Sequence, residues 1–82
     1  MKYLDCVEVM VEKEEYAKEG VHKGMQGIIW SEESMDGEWD VYFVQYGEKE
    51  DIAEIYMQEE DLVQIPKMDA KINELIKLSF GE

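Results

Sequence analysis

Carboxylates dominate the chemistry this chain could offer: 21 of its 82 residues are Asp or Glu, against one histidine and one cysteine. Three clusters, Glu32-Glu33, Glu48-x-Glu50-Asp51 and Glu59-Glu60-Asp61, could hold a divalent cation weakly. None repeats the D-x-[DN]-x-[DN]-G ladder of a calcium loop. Paired carboxylates could also exchange protons with a substrate, but that work needs a pocket, and a chain this short rarely encloses one. His22 stands near Gly20 and Gly24 in a charged run and reads as an exposed turn residue rather than a base. Cys6 has Asp5 and Glu8 for neighbours, the opposite of the cationic setting that creates a reactive thiolate, so it reads as a small packing residue. No catalytic residue, cofactor or metal site is expected, and the chain is not expected to be an enzyme.

The tyrosines suggest recognition instead. In residues 38–45, EWDVYFVQ, the side chains alternate. Trp39, Val41 and Phe43 point one way, and Asp40, Tyr42 and Val44 the other. Tyr46 follows at the next turn and Tyr56 on the next strand. Outward tyrosines ringed by carboxylates are a common interface composition. The expected partner-binding set is therefore Asp40, Tyr42, Tyr46, Glu48, Glu50, Asp51, Glu54 and Tyr56. The alternative for Tyr42 is that it covers a barrel edge or packs under a C-terminal helix.

The formal charge is −13, and it is unevenly placed. Residues 31–62 carry twelve acids and one lysine, Lys49, whereas residues 63–82 balance three lysines with three acids. There is no arginine. Nucleic-acid affinity depends on Lys and Arg neutralising phosphate, so no nucleic-acid binding is expected. At 45% hydrophobic residues the chain is nonetheless too apolar for a disordered acidic tail. No run approaches a membrane span, and the N-terminal apolar residues are too interrupted by acids for a signal peptide. A single cysteine suits a reducing compartment, so a cytoplasmic location is expected.

The elements that would position these groups follow from periodicity. Residues 4–13 alternate, with Val7, Val9 and Val11 on one face, and read as a strand. Residues 14–24 read as a long charged loop, and 25–32 as a second strand with Gly27 a bulge or point of close approach. Asp36-Gly37 signals a hairpin, since both residues tolerate positive φ. Strands over 38–45 and 51–57 flank a turn around Gly47. After a tight turn at 58–61, Leu62 to Ile65 makes a fifth strand. Beyond Pro66 the period changes. Met68, Ile72, Leu75 and Ile76 recur at helical spacing, with Asp69 as N-cap and Gly81 as terminator. The expected core is Val7, Val9, Val11, Ile28, Trp30, Trp39, Val41, Phe43, Ile55 and Leu62. The fold expected is mainly β: a five-stranded barrel over residues 1–66 with a short helix in 67–82 packed on it, together one domain.

The order of strand, long loop, G-x-x-x-G-x-x-G, strand, D-G hairpin, strand, glycine turn, strand and E-D-L resembles an SH3-like barrel over residues 4–65. Lys23-Gly24-Met25-Gln26-Gly27-Ile28-Ile29 resembles the K-G-x-x-G-x-V core of KOW-type barrels, and also small uncharacterised bacterial barrel proteins. Likeness to KOW barrels would imply RNA contact near Lys23, but Glu12, Glu14, Glu15 and Glu19 cancel Lys13, Lys18 and Lys23. Two functions stay open. One is an acidic protein-binding module for a basic partner, in the manner of an immunity protein neutralising a toxin, or of a nucleic-acid mimic. The other is a structural or accessory barrel that self-associates as a homodimer, its acidity serving solubility only.

Overall fold

The computed structural model describes residues 1–44 and 51–81. They form one sheet of five antiparallel strands and a short C-terminal helix, so the fold is mainly β. The strands are β1 (Cys6–Val9), β2 (Gln26–Ile29), β3 (Glu38–Phe43), β4 (Ala53–Gln58) and β5 (Leu62–Ile65). A single helical turn, α1 (Glu14–Ala17), lies between β1 and β2, and α2 (Ala70–Ser79) closes the chain. The strand order is β4-β3-β2-β1-β5.

That order forces curvature. β4 and β5 sit at opposite edges, yet only the 3-10 turn Glu59–Asp61 joins them. In a flat sheet the outer two of five strands lie about 19 Å apart, whereas the chain from Gln58 to Leu62 can reach about 14 Å at most. The sheet therefore curls until its edges approach, which is compatible with a small barrel.

Alternation decides what faces the core. Val7, Val9, Ile29, Trp39, Val41, Phe43, Met57 and Leu62 are buried along the strands. Tyr16, Val21 and Met25 close the core from the segment between β1 and β2. Val11 and Ile55 are half-buried and pack against its margin. Ile28 and Trp30 do not belong to it: Ile28 is half-exposed and Trp30 is 42% exposed. The cause is Gly27. A Cβ there would stand 2.9 Å from both the Tyr42 carbonyl oxygen and Val41 Cγ1. Only glycine lets β2 lie this close over Val41 and Phe43, so Gly27 and Ile29 take the inward positions. The one-residue shift sends Ile28 and Trp30 to the opposite face. Asp36 and Gly37, at φ 54° and 80°, form the hairpin turn into β3 as expected.

Two expectations about loop and helix are also corrected. Residues 14–24 are not all loop, because α1 interrupts them. The helix starts at Ala70, where the expected Asp69 N-cap places it, and the Asp69 carboxylate accepts the Lys71 N–H at 3.0 Å. Its contact face, however, is displaced. Ile76 packs on the core and Met68 and Ile72 are half-buried, but Leu75 is 60% exposed. The fully buried residue of α2 is Asn73. Pairing of Ile28 with Tyr42 would bring Gln26 opposite Val44 next, but there the Asn73 carboxamide stands between them. Its Oδ1 accepts the Gln26 N–H at 2.7 Å, and its Nδ2 donates to the carbonyls of Gln26 and Val44 at 2.8 and 3.1 Å. A helix side chain thus completes a strand ladder where two strands part. Gln26 answers with its own side chain, which accepts the Asp69 N–H at 2.8 Å. Among the described residues no helix is long and apolar enough to cross a membrane.

Candidate functional site

The inward face of β2, β3 and β4 is consumed by the core, and their outward face carries the candidate site. Antiparallel register sets its layout. Tyr42 lies opposite Glu54, and Asp40 opposite Tyr56. On the other side Tyr42 faces Ile28, and the Trp30 N–H donates to the Asp40 carbonyl at 2.8 Å. Acids and aromatic rings therefore alternate in a checkerboard across three strands. Trp30 and Tyr42 have ring centroids 5.2 Å apart, inclined at 45°. Tyr3 approaches Trp30 from the N-terminal segment at 5.7 Å. Leu4, at φ 72°, forms the turn that delivers it. Rings at these separations attract each other, yet Tyr3, Trp30 and Tyr56 remain 42%, 42% and 51% exposed.

The acids of this face have unusual neighbours. Burial, and a hydrogen bond with Glu54, push the Asp40 carboxyl up to about 6. Two carboxyls at one place hold a proton between them because both charges together are costly. The Tyr42 hydroxyl donates to Asp51, and that bond to a carboxylate raises the phenol's pKa. Ser31 Oγ accepts the Asp40 N–H at 3.3 Å. None of β2, β3 and β4 contains a lysine, arginine or histidine.

Of the residues expected to bind a partner, Asp40, Tyr42, Glu54 and Tyr56 share this face, and Asp51 joins it through Tyr42. Tyr46, Glu48 and Glu50 lie outside the described residues. Trp30 and Tyr3 were not expected here. Strict alternation about an inward Gly27 was the signal that would have turned Trp30 outward.

Other titratable groups are bound into the fold. Asp61, of the E-D-L sequence, is buried and accepts from Lys13 Nζ at 2.6 Å and from the Tyr16 hydroxyl at 2.7 Å. Burial alone would raise its pKa, but these two donors hold it below the ordinary value. Burial pushes Tyr16 up to about 12. His22 is no exposed turn residue: it is buried, its ring stacked 3.7 Å over Phe80 and its Nδ1 2.7 Å from Glu12. Glu12 also accepts the Lys23 N–H at 2.8 Å. Burial opposes its ionisation, but these contacts prevail and its pKa is lowered.

A shallow cleft of about 480 Å³ lies between the Asp36–Glu38 turn and Gln58–Glu60. Carboxylates and a carboxamide supply its side chains, with no nucleophile beside a base. Among the described residues no three or more His, Cys, Asp or Glu side chains converge to hold a metal ion. Comparison with protein-family models, curated proteins and solved structures finds no match. The likeness to KOW-type barrels therefore rests on the motif residues alone, and that to immunity proteins on acidic composition alone; what the chain can be assigned to is a class, a small curled five-stranded antiparallel sheet closed by one helix.

Proposed function

We propose that this chain is a non-enzymatic, cytoplasmic module that docks a basic protein through the outward face of β2, β3 and β4. One observation carries the reading: exposed aromatic rings alternate there with carboxylates, on strands without a single cation. Aromatic anchors supply the affinity of an interface, and opposite charge speeds the encounter. Neutralising a basic toxin, as an immunity protein does, and standing in for nucleic acid on a basic groove are the two finer forms of this function. The same charge argues against nucleic acid itself as the partner.

The test is association kinetics, at two ionic strengths, against the partner purified from the source cells. Asp40→Lys should slow association and weaken its salt dependence. Tyr42→Ala should speed dissociation. Fast, salt-independent association unaffected by either substitution would sink the proposal. A second reading, self-association, is favoured by the exposed Leu75 and Leu78 of α2 and by Phe80 just beyond it. Sedimentation at rising concentration distinguishes it, because a homodimer would gain mass without any basic partner.

A further inference from the structure

Taking the outward face as a docking surface for a basic partner, as proposed above, we infer that it seats an arginine guanidinium, stacked on Trp30 and bridging Asp40 and Glu54. The indole keeps 42% of its surface open although Tyr3 and Tyr42 both touch it, which leaves ring area for a planar group. Asp40 is Trp30's backbone partner on one side, and Glu54 lies diagonally across β3 and β4 from Asp40. Neighbouring positions on one sheet face bring side chains within about 5 Å, and diagonal ones within about 8 Å. A guanidinium is flat, weakly hydrated and forked, so it can lie on an indole while its N–H groups point at two carboxylates. A lysine ammonium is a compact, strongly hydrated charge and offers only one of the two contacts at a time.

Asp40, its pKa raised to about 6 by burial and by Glu54 beside it, is ionised at neutral pH and holds its proton in acid. Above that value its carboxylate is ready to accept the guanidinium N–H groups; below it, seating the arginine must first release the Asp40 proton to water. The other titratable groups on this face are Glu38, Tyr42 with its partner Asp51, Tyr56, and Tyr3 from the N-terminal segment, and none of them is a cation. Proton and arginine therefore compete for the same oxygens, and acid weakens docking.

Two capped peptides, Gly-Arg-Gly-Arg-Gly and its lysine counterpart, test this by titration into the full chain. The indole N–H resonances of Trp30 and Trp39 provide the readout. Trp39 is the internal control, since its Nε1 is held by Glu59 at 2.7 Å. The Trp30 resonance should move and that of Trp39 should not. The arginine peptide should bind at least about threefold tighter than the lysine peptide. Its affinity should fall roughly tenfold from about pH 7 to about pH 5, as Asp40 takes up its proton. Asp40→Asn, and independently Glu54→Gln, should weaken the arginine peptide and flatten that pH dependence. Equal affinities for the two peptides at Trp30 overturn the arginine seat but leave a basic docking face standing. If neither peptide moves the Trp30 resonance, both ideas fall.

Discussion

Asp61 and Asp40 are the same residue in two corners of the molecule, and burial raises the pKa of each. Their partners decide the outcome. Asp61 meets an ammonium and a phenol, and its pKa falls; Asp40 meets a second carboxyl, and its pKa rises. Elsewhere inside, the fold leaves nothing unpaired: among the described residues no buried side-chain nitrogen or oxygen lacks a hydrogen-bond partner. Asp61 is thus accounted for by architecture, because it ties α1 to the turn between β4 and β5. Asp40 is not. At neutral pH, setting acid beside acid gives the fold no stabilisation, and a site that a cation enters from outside is where such a pairing has a use.

The sharpest break of this comparison is Asp61→Ala. It strands the Tyr16 hydroxyl and the Lys13 ammonium, and should lower stability by about 2–4 kcal/mol in urea unfolding. Lys13 can rehydrate, so the lower half of that range is expected. A loss under about 1 kcal/mol would make the corner incidental. Tyr16→Phe removes one of the two donors and should cost about 1 kcal/mol, through the bond to Asp61 and that from the Gln58 N–H.

Asp40→Asn should act in the opposite direction. The folded carboxyl titrates near 6, above the ~3.9 of an unfolded aspartate, so the native state holds the extra proton between these values. Stability from this group is therefore greatest in acid and is lost as pH rises through about 6. Asn removes that loss and should stabilise the protein at neutral pH by roughly 1 kcal/mol, discounted for solvent screening. Asp61 runs the other way: its lowered pKa gives stability present above the unfolded carboxylate range and lost as pH falls below it. Urea midpoints of the two variants across pH should therefore diverge from wild type in opposite senses. The smallest effect belongs to Tyr42→Phe, which removes only the bond to Asp51 and should leave the urea midpoint unchanged. A clear shift there would place Tyr42 among the residues that hold the fold.

Local pattern accounts for what the sequence made legible. β1, β3 and β5, the Asp36-Gly37 hairpin and the Asp69 cap all follow from alternation or turn chemistry within a few residues. Strand alternation also put Asp40, Tyr42, Glu54 and Tyr56 on the outward side. Residues whose setting depends on distant partners were not legible. Tyr16 and Asp61 are 45 positions apart, and Gln26 and Asn73 47. His22 gains its burial from Phe80, beyond the last strand. Trp30 was misplaced for a different reason: a large ring on a strand reads as core, and only the crowding above Gly27 shows that β2 faces the other way.

The Asn73 carboxamide also divides the molecule into two units that can open separately. Gln26 belongs to the sheet, but its N–H finds its acceptor on α2. The N–H of Ile29, three residues on, finds its acceptor at Asp5, inside the sheet's own ladder. If α2 lifts while the strands stay paired, Gln26 opens to solvent and Ile29 does not. Deuterium uptake at these two amides then reads two separate equilibria from one strand, helix release at Gln26 and sheet opening at Ile29. The protection factor at Gln26 then measures how tightly the helix is fastened to the sheet, and the gap to Ile29 how much more readily the helix lifts than the sheet opens, with no need to cut the chain.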